Sequence, residues 1–297
     1  VSAAPRDPAA CYLAACELDV AVRKPGNVSR FSAGHRMEAA MFSASARASV
    51  GPLFRRGTRV GERVEAAVAA TRDVVGCNTN LGILLLCAPI ARAAELHPGA
   101  TDPPALRAAV EAVLGDLDVG DTRAAYRAIA QARPGGLGSA AEQDVHAPPS
   151  IDLRAAMALA AERDSIARQY RDGFADLFEV DLPALATALA GSHAAPATPA
   201  SAAPSAAVQR IYLGFLASRP DSHIVRKHGA ALAHIVMAAA QPWHARALAG
   251  EPLDADATFA AWDAELKDTG LNPGTSADLT VATLFIAALL SPRPTRP

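Results

Sequence analysis

Apolar residues in this chain recur at the spacing of an amphipathic or buried helix, and strict alternation of the strand type is missing. The pattern predicts helices from about Pro8 to Arg23, Met37 to Val50, Thr58 to Val75 and Leu81 to Leu96. A further helix opens at Asp102-Pro103-Pro104, and others run from Asp121 to Ala132, Asp152 to Arg171 and Leu182 to Ala190. The last third adds Ala206 to Ala217, Ser222 to Ala239, Pro242 to Ala249, Ala255 to Thr269 and Ser276 to Leu290. Asp7-Pro8 has the form of an N-cap followed by a first-turn proline. Thr275 and Asp278 have capping-box spacing, and Asp164 and Arg168 stand four apart, as an exposed helical ion pair would.

Polar loops interrupt these helices. Five of them, centred on Asn27, Asn80, Gly136, Asp221 and Pro273, concentrate the amides, hydroxyls, cations and carboxylates of an otherwise monotonous chain. Pro25-Gly26 ends the first helix and turns the backbone. A second group, Glu142, Asp144 and His146, either binds a metal or is solvated. Gly191 to Ser205, rich in Ala, Pro and Ser, reads as a surface linker or insertion within one domain spanning residues 1–297.

Composition narrows the class. Of 297 residues 51% are hydrophobic and only 5% aromatic, with alanine dominant, so an all-α fold is expected: a multi-helix, bundle-like domain with its polar loops at one end. A net charge of −2 gives no general reason to bind nucleic acid or an anionic membrane. The longest apolar runs fall short of the roughly 20 residues that span a bilayer. Cys11, Cys16, Cys77 and Cys87 lack metal-ligand spacing and read as buried free thiols, and the opening residues have no signal-peptide layout, so a cytoplasmic protein is expected. Oligomeric state stays open, a homodimer included.

If the five loops meet, their carboxylates suit magnesium and their cations suit phosphate. The loops KPGNVSRFSAGHRM, CNTNLG, ARPGGLG, RDSIARQYRDGF, PDSHIVRKHG and LNPGTSADLTVATLF together resemble the triphosphoribosyl-dephospho-CoA synthase family over most of the chain. The resemblance implies an all-helical transferase that moves the triphosphoribosyl group of ATP to a ribose hydroxyl of dephospho-CoA and releases adenine. Such a reaction passes through a cationic sugar, and a proton must leave the acceptor hydroxyl.

On that reading the catalytic candidates are Asp278, Asp221, His35 and Glu38, with His223 as an alternative for proton transfer. Substrate-binding candidates are Lys24, Asn27, Ser29, Asn78, Asn80, Arg226, Lys227, Asn272 and Ser276. Glu17, Asp221 and Asp278 are the candidate ligands for Mg2+. Structural roles compete with each: Asn78 or Thr79 as a helix cap, Asp221 as an N-cap, Asp278 as a capping-box residue, and His35 with Glu38 as a surface pair.

The second loop departs from the decarboxylase-associated members. Asn78-Thr79-Asn80-Leu81-Gly82 stands where they carry Asn-Thr-His-Lys-Gly. This form resembles a divergent branch linked to one-carbon carriers of the methanopterin type, which would take another phosphorylated substrate. A non-catalytic helical binding protein is the third reading, expected if the loops are scattered caps.

Overall fold

A computed structural model describes residues 6–190 and 202–291, and among them all regular structure is helical. In chain order the helices are α1 (Pro8–Ala21), α2 (Ala39–Leu53), α3 (Val60–Val75), α4 (Leu81–Leu96) and α5 (Pro103–Gly115). There follow α6 (Val119–Ala132), α7 (Leu153–Ala158), α8 (Ser165–Arg171), α9 (Ala175–Phe178) and α10 (Leu182–Ala190). The series closes with α11 (Ala202–Ser218), α12 (Ser222–His228), α13 (Ala230–Leu248), α14 (Ala257–Asp268) and α15 (Gly274–Leu290).

Two helices are buried on nearly every side, α4 and α15. A helix apolar all round has no face for water and must sit in the centre. Accordingly α15 packs against α1, α4, α10 and α11, while α4 is flanked by α3 and α5. A second, smaller core joins Tyr212 and Leu216 of α11, Ile224, Val236, Phe259 and Leu266, and reaches α15 through Ala277. The two cores therefore share α11 and α15.

Several boundaries differ from those predicted, each for a local reason. The helix expected from Asp152 to Arg171 breaks at Asp164, whose carboxylate accepts from the amides of Ile166 and Ala167 and starts α8. Asp164 and Arg168 consequently do not pair: Arg226 takes the first and Asp176 the second. The helix expected from Ser222 to Ala239 breaks at Gly229, which takes φ +88°. In contrast α13 runs through Pro242, which is exposed, so the carbonyl it frees reaches water. Pro273, not Thr275, is the N-cap of α15, and the expected capping box does not form.

Ala202 to Ser205 belong to α11, and the rest of the predicted linker lies outside the described residues. Cys11, Cys16 and Cys87 are buried, whereas Cys77 is exposed at the second loop. No described helix is long and apolar enough to cross a membrane.

Candidate active site

The five polar loops meet. A Cβ on Gly26, which holds φ +80°, would lie 2.7 Å from Pro273 Cδ, so the first and last loops touch without room for a side chain. Asn27 donates to Asn272 Oδ1 at 3.1 Å across the same contact. Asp263 of α14 clamps the first loop from below, accepting from the Gly26 amide at 2.9 Å and Ser32 Oγ at 2.8 Å while pairing with Lys267 and Arg23. Lys24 is wholly buried, with its ammonium 3.1 Å from Asp19 Oδ2 and 2.8 Å from the Asp19 carbonyl. His35 and Arg36 hold φ of 55° and 63°, and His35 Nε2 lies 2.8 Å from the Gly26 carbonyl. Two adjacent non-glycine residues in this region persist only where surrounding contacts impose it.

Asp221 is the hub of the opposite wall. Its Oδ1 accepts from the amides of His223 and Ile224, at 2.9 and 3.3 Å, and caps α12. Its Oδ2 accepts from the Ser276 amide and hydroxyl, at 2.7 and 2.8 Å, and so fastens α12 to the first turn of α15. Burial raises its pKa, though these four bonds oppose the shift. Ser222 Oγ accepts from the Ser165 amide at 2.9 Å, and Arg226 pairs with Asp164 at 2.7 Å, which ties in α8. The glycine turn packs here too, since a Cβ on Gly136 would fall 2.4 Å from the Arg226 carbonyl.

Asp278 is different. It lies one turn into α15 with part of its surface open, and it accepts no hydrogen bond from a described residue. A Cβ on Gly82 would come within 2.0 Å of its Oδ2, so the second loop needs glycine to admit this carboxylate. Burial pushes the Asp278 carboxyl well above the usual range; nearby Asp221 and Asp19 push it further, and Arg226 opposes them. Asp19 Oδ1 and Asn80 Nδ2 are likewise buried without partners, on either side of a void of about 10 Å³, the size of one water. His223 Nε2 is a third unbonded buried atom, its ring held to a pKa of about 3 by burial and by Lys227, Arg226, His35 and His228. Native folds leave few buried polar atoms unbonded, and these three belong to the loops or helices that meet here.

The model of the family described as ATP:dephospho-CoA triphosphoribosyl transferase matches residues 5–296. The chain belongs to this family. This transferase also resembles, at TM-score 0.61 and 23% identity, the crystal structure of a "putative triphosphoribosyl-dephospho-coA synthase from Archaeoglobus fulgidus", over 85% of this chain and 99% of that one. At that identity the likeness supports the fold. No curated protein matches the chain.

The transferase brings together Asn27, Asn80, Asp221, Arg226, Asn272, Ser276 and Asp278, with His35 and His223 beside them. Lys227 is exposed over the glycine turn, where a Cβ on Gly135 would meet its Cε at 2.5 Å. Ser29 is buried with its hydroxyl unbonded. Asn78 accepts from the Leu81 amide at 3.1 Å, which is the helix-capping role. Other candidates are held elsewhere: the Lys24 ammonium is spent on Asp19, and Glu17 is taken by Arg30, Arg47 and Ser43 on the outer side of α1. Glu38 is exposed and precedes α2, so it shares no helix face with His35. Glu17, Asp221 and Asp278 therefore form no common set, and no group of three or more His, Cys, Asp or Glu among the described residues is arranged for a metal. Asp144 accepts from two loop amides instead.

Sequence reasoning did not place Asp19, Asp164 or Asp263 among the site residues. Asp19 had a signal, a carboxylate five residues before a lysine in an apolar helix. Asp263 had none, since it sits in an ordinary amphipathic stretch.

Proposed function

We propose that the site around Asp278 carries out transfer of the triphosphoribosyl group from ATP to a ribose hydroxyl of dephospho-CoA. The observation that carries this is an open, unbonded carboxylate near the Arg226 guanidinium, with Lys227 and the neutral imidazoles of His223 and His35 next to that arginine. Arg226 and Lys227 suit the polyphosphate, whose charge-assisted bonds are among the stronger ones. Asp278 takes the proton of the acceptor hydroxyl as its oxygen bonds to C1′ of the ribose. The C1′–N9 bond breaks and adenine departs, gaining a proton. A carboxyl whose pKa is raised is suited to accept a proton in this way, and its negative charge favours the cationic sugar.

Mg2+ fits as an ion brought by the nucleotide, since magnesium keeps several waters and needs only one or two carboxylates beside the phosphates. The oxygens of Asp221 are already bonded, and the ion would be held mainly by the phosphates and water. When bound, the ion would neutralise phosphate charge.

A second reading, a related enzyme with another phosphorylated substrate, draws on the second loop, where Asn80 is uncharged and Leu81 turns into the core. One experiment separates them. Incubation with ATP, Mg2+ and dephospho-CoA, followed by chromatography and mass analysis, is expected to give adenine and its nucleotide product in equal amounts. Well-folded protein that yields neither, yet binds a phosphorylated pterin or furan intermediate, would establish the second reading. The non-catalytic reading falls with the family assignment and the meeting of the loops.

A further inference from the structure

The void of about 10 Å³ between Asp19 and Asn80 is enclosed by α1, α2, α15 and the start of α4. Val20, Phe42, Ala46, Ile83 and Val281 give it apolar walls, of the kind that surround a void that stays dry. Asp19 and Asn80 do not fit that pattern. Each is 5% exposed, and Asp19 Oδ1 and Asn80 Nδ2 make no hydrogen bond with a described residue.

Neither side chain is left over from another task. Lys24 Nζ takes the second oxygen of Asp19, at 3.1 Å from Oδ2, so that carboxylate has one oxygen spent and one unspent. Asn80 stands at the N-cap of α4, yet its side chain makes no capping bond; Asn78 accepts from the Leu81 amide instead. An unmade bond at a buried polar atom carries that group's full desolvation penalty, and here two such atoms belong to residues that wall one small space.

Their needs are opposite. A carboxylate oxygen requires a donor, and an amide nitrogen requires an acceptor. A metal cation or an ammonium ion would satisfy Asp19 and be repelled by the Asn80 amide hydrogens, and Lys24 already supplies a positive charge. Water serves both atoms. Its second proton has acceptors in Cys16 Sγ and in the Tyr12 oxygen, since both residues line the void. Ser49 Oγ gives its own proton to the Ala46 carbonyl at 2.9 Å, so in the 2.9 Å contact between the two hydroxyls Tyr12 is the donor and keeps a lone pair.

We propose that this void is the binding site of one ordered water, which donates to Asp19 Oδ1, accepts from Asn80 Nδ2 and ties α1 to the second loop. Two residues beyond Asn80, Gly82 leaves room for Asp278 Oδ2, so a tie at Asn80 also holds that glycine against the carboxylate. The Asn80 amide nitrogen is then spent on the water and is not offered to a substrate. The site stands apart from the transferase reading and survives its failure.

A high-resolution crystal structure of the full chain is expected to show one isolated density peak within hydrogen-bond distance of both atoms. An empty void, an ion surrounded by oxygen ligands, or a direct bond between the two side chains would overturn the proposal. Relaxation dispersion of the water oxygen nucleus, which counts long-lived buried waters, gives the solution test. Asn80→Leu keeps the bulk of the side chain and removes its donor; it is expected to hold one such water fewer than wild type and to melt lower, because Asp19 Oδ1 loses its bonded water. An unchanged count or a higher melting temperature would sink the assignment. The crystallographic arm uses wild type alone, so it decides the matter even if Asn80→Leu fails to fold.

Discussion

Asp263 and Asp278 sit in consecutive helices, one holding the first loop and one beside the second, and are treated in opposite ways. Asp263, 1% exposed, has both oxygens bonded, by an amide, a hydroxyl and two cations. Asp278 accepts no such bond, and glycine at position 82 keeps space beside it. A buried carboxylate without partners costs stability, so the first arrangement is what a scaffold requires and the second is what a site awaiting substrate tolerates. The difference separates residues that hold the loops together from residues that act.

The largest effect that could break this contrast is Asp278→Asn. Turnover, followed as adenine release, should fall by about 10³-fold, the scale of a lost general base. The same variant should melt higher than wild type at pH 8. The folded state holds the Asp278 proton above the unfolded-chain value of about 3.9, so its contribution to stability is present below that value and lost as pH rises. Asparagine does not titrate, and the two proteins should converge in acid. A variant that is both inactive and less stable at pH 8 would place Asp278 with the scaffold.

Asp263→Ala should do the reverse, costing about 3 kcal/mol in denaturant unfolding because it strands Lys267 and Arg23. Gly82→Ala should lower kcat by roughly 10²-fold with little loss of secondary structure by circular dichroism, since its methyl displaces the Asp278 carboxylate. His223 offers a finer test. Its pKa of about 3 means that, as pH falls from about 6.5, the unfolded chain takes up a proton that the folded chain refuses, so stability drops. An anion beside the ring should raise that pKa, and ATP binding near pH 6 should therefore take up protons, measurable by calorimetry in buffers of different ionisation heat. Histidine→Gln at position 223 should abolish the uptake. Glu17→Gln, on the outer face of α1, should change stability by at most about 1 kcal/mol and leave turnover within about twofold.

Much of the fold was legible because helical periodicity and caps are local. Leu81 to Leu96 and Leu182 to Ala190 were predicted to the residue, and Asp7 and Asp102 cap as expected. The errors fell where two local signals competed: Asp164 caps a new helix inside an apolar stretch, and Pro242 is tolerated because its neighbour faces water. Of the site, the polar loops were visible, but the partner of each polar group was not. Glu17 and Asp19 differ by two positions, yet one faces solvent-side arginines and the other is buried against Lys24.

By itself the sequence determined the class of protein. Alanine-rich periodic stretches determine helices, and the six motifs mark the transferase family, because both are properties of short segments. Only the tertiary structure decided which carboxylates are spent and which are free. That depends on contacts such as Asp263 with Gly26, Asp221 with Ser276 and Gly82 with Asp278, whose partners lie 55 to 237 residues apart, and such distant pairings leave no periodic trace in the chain.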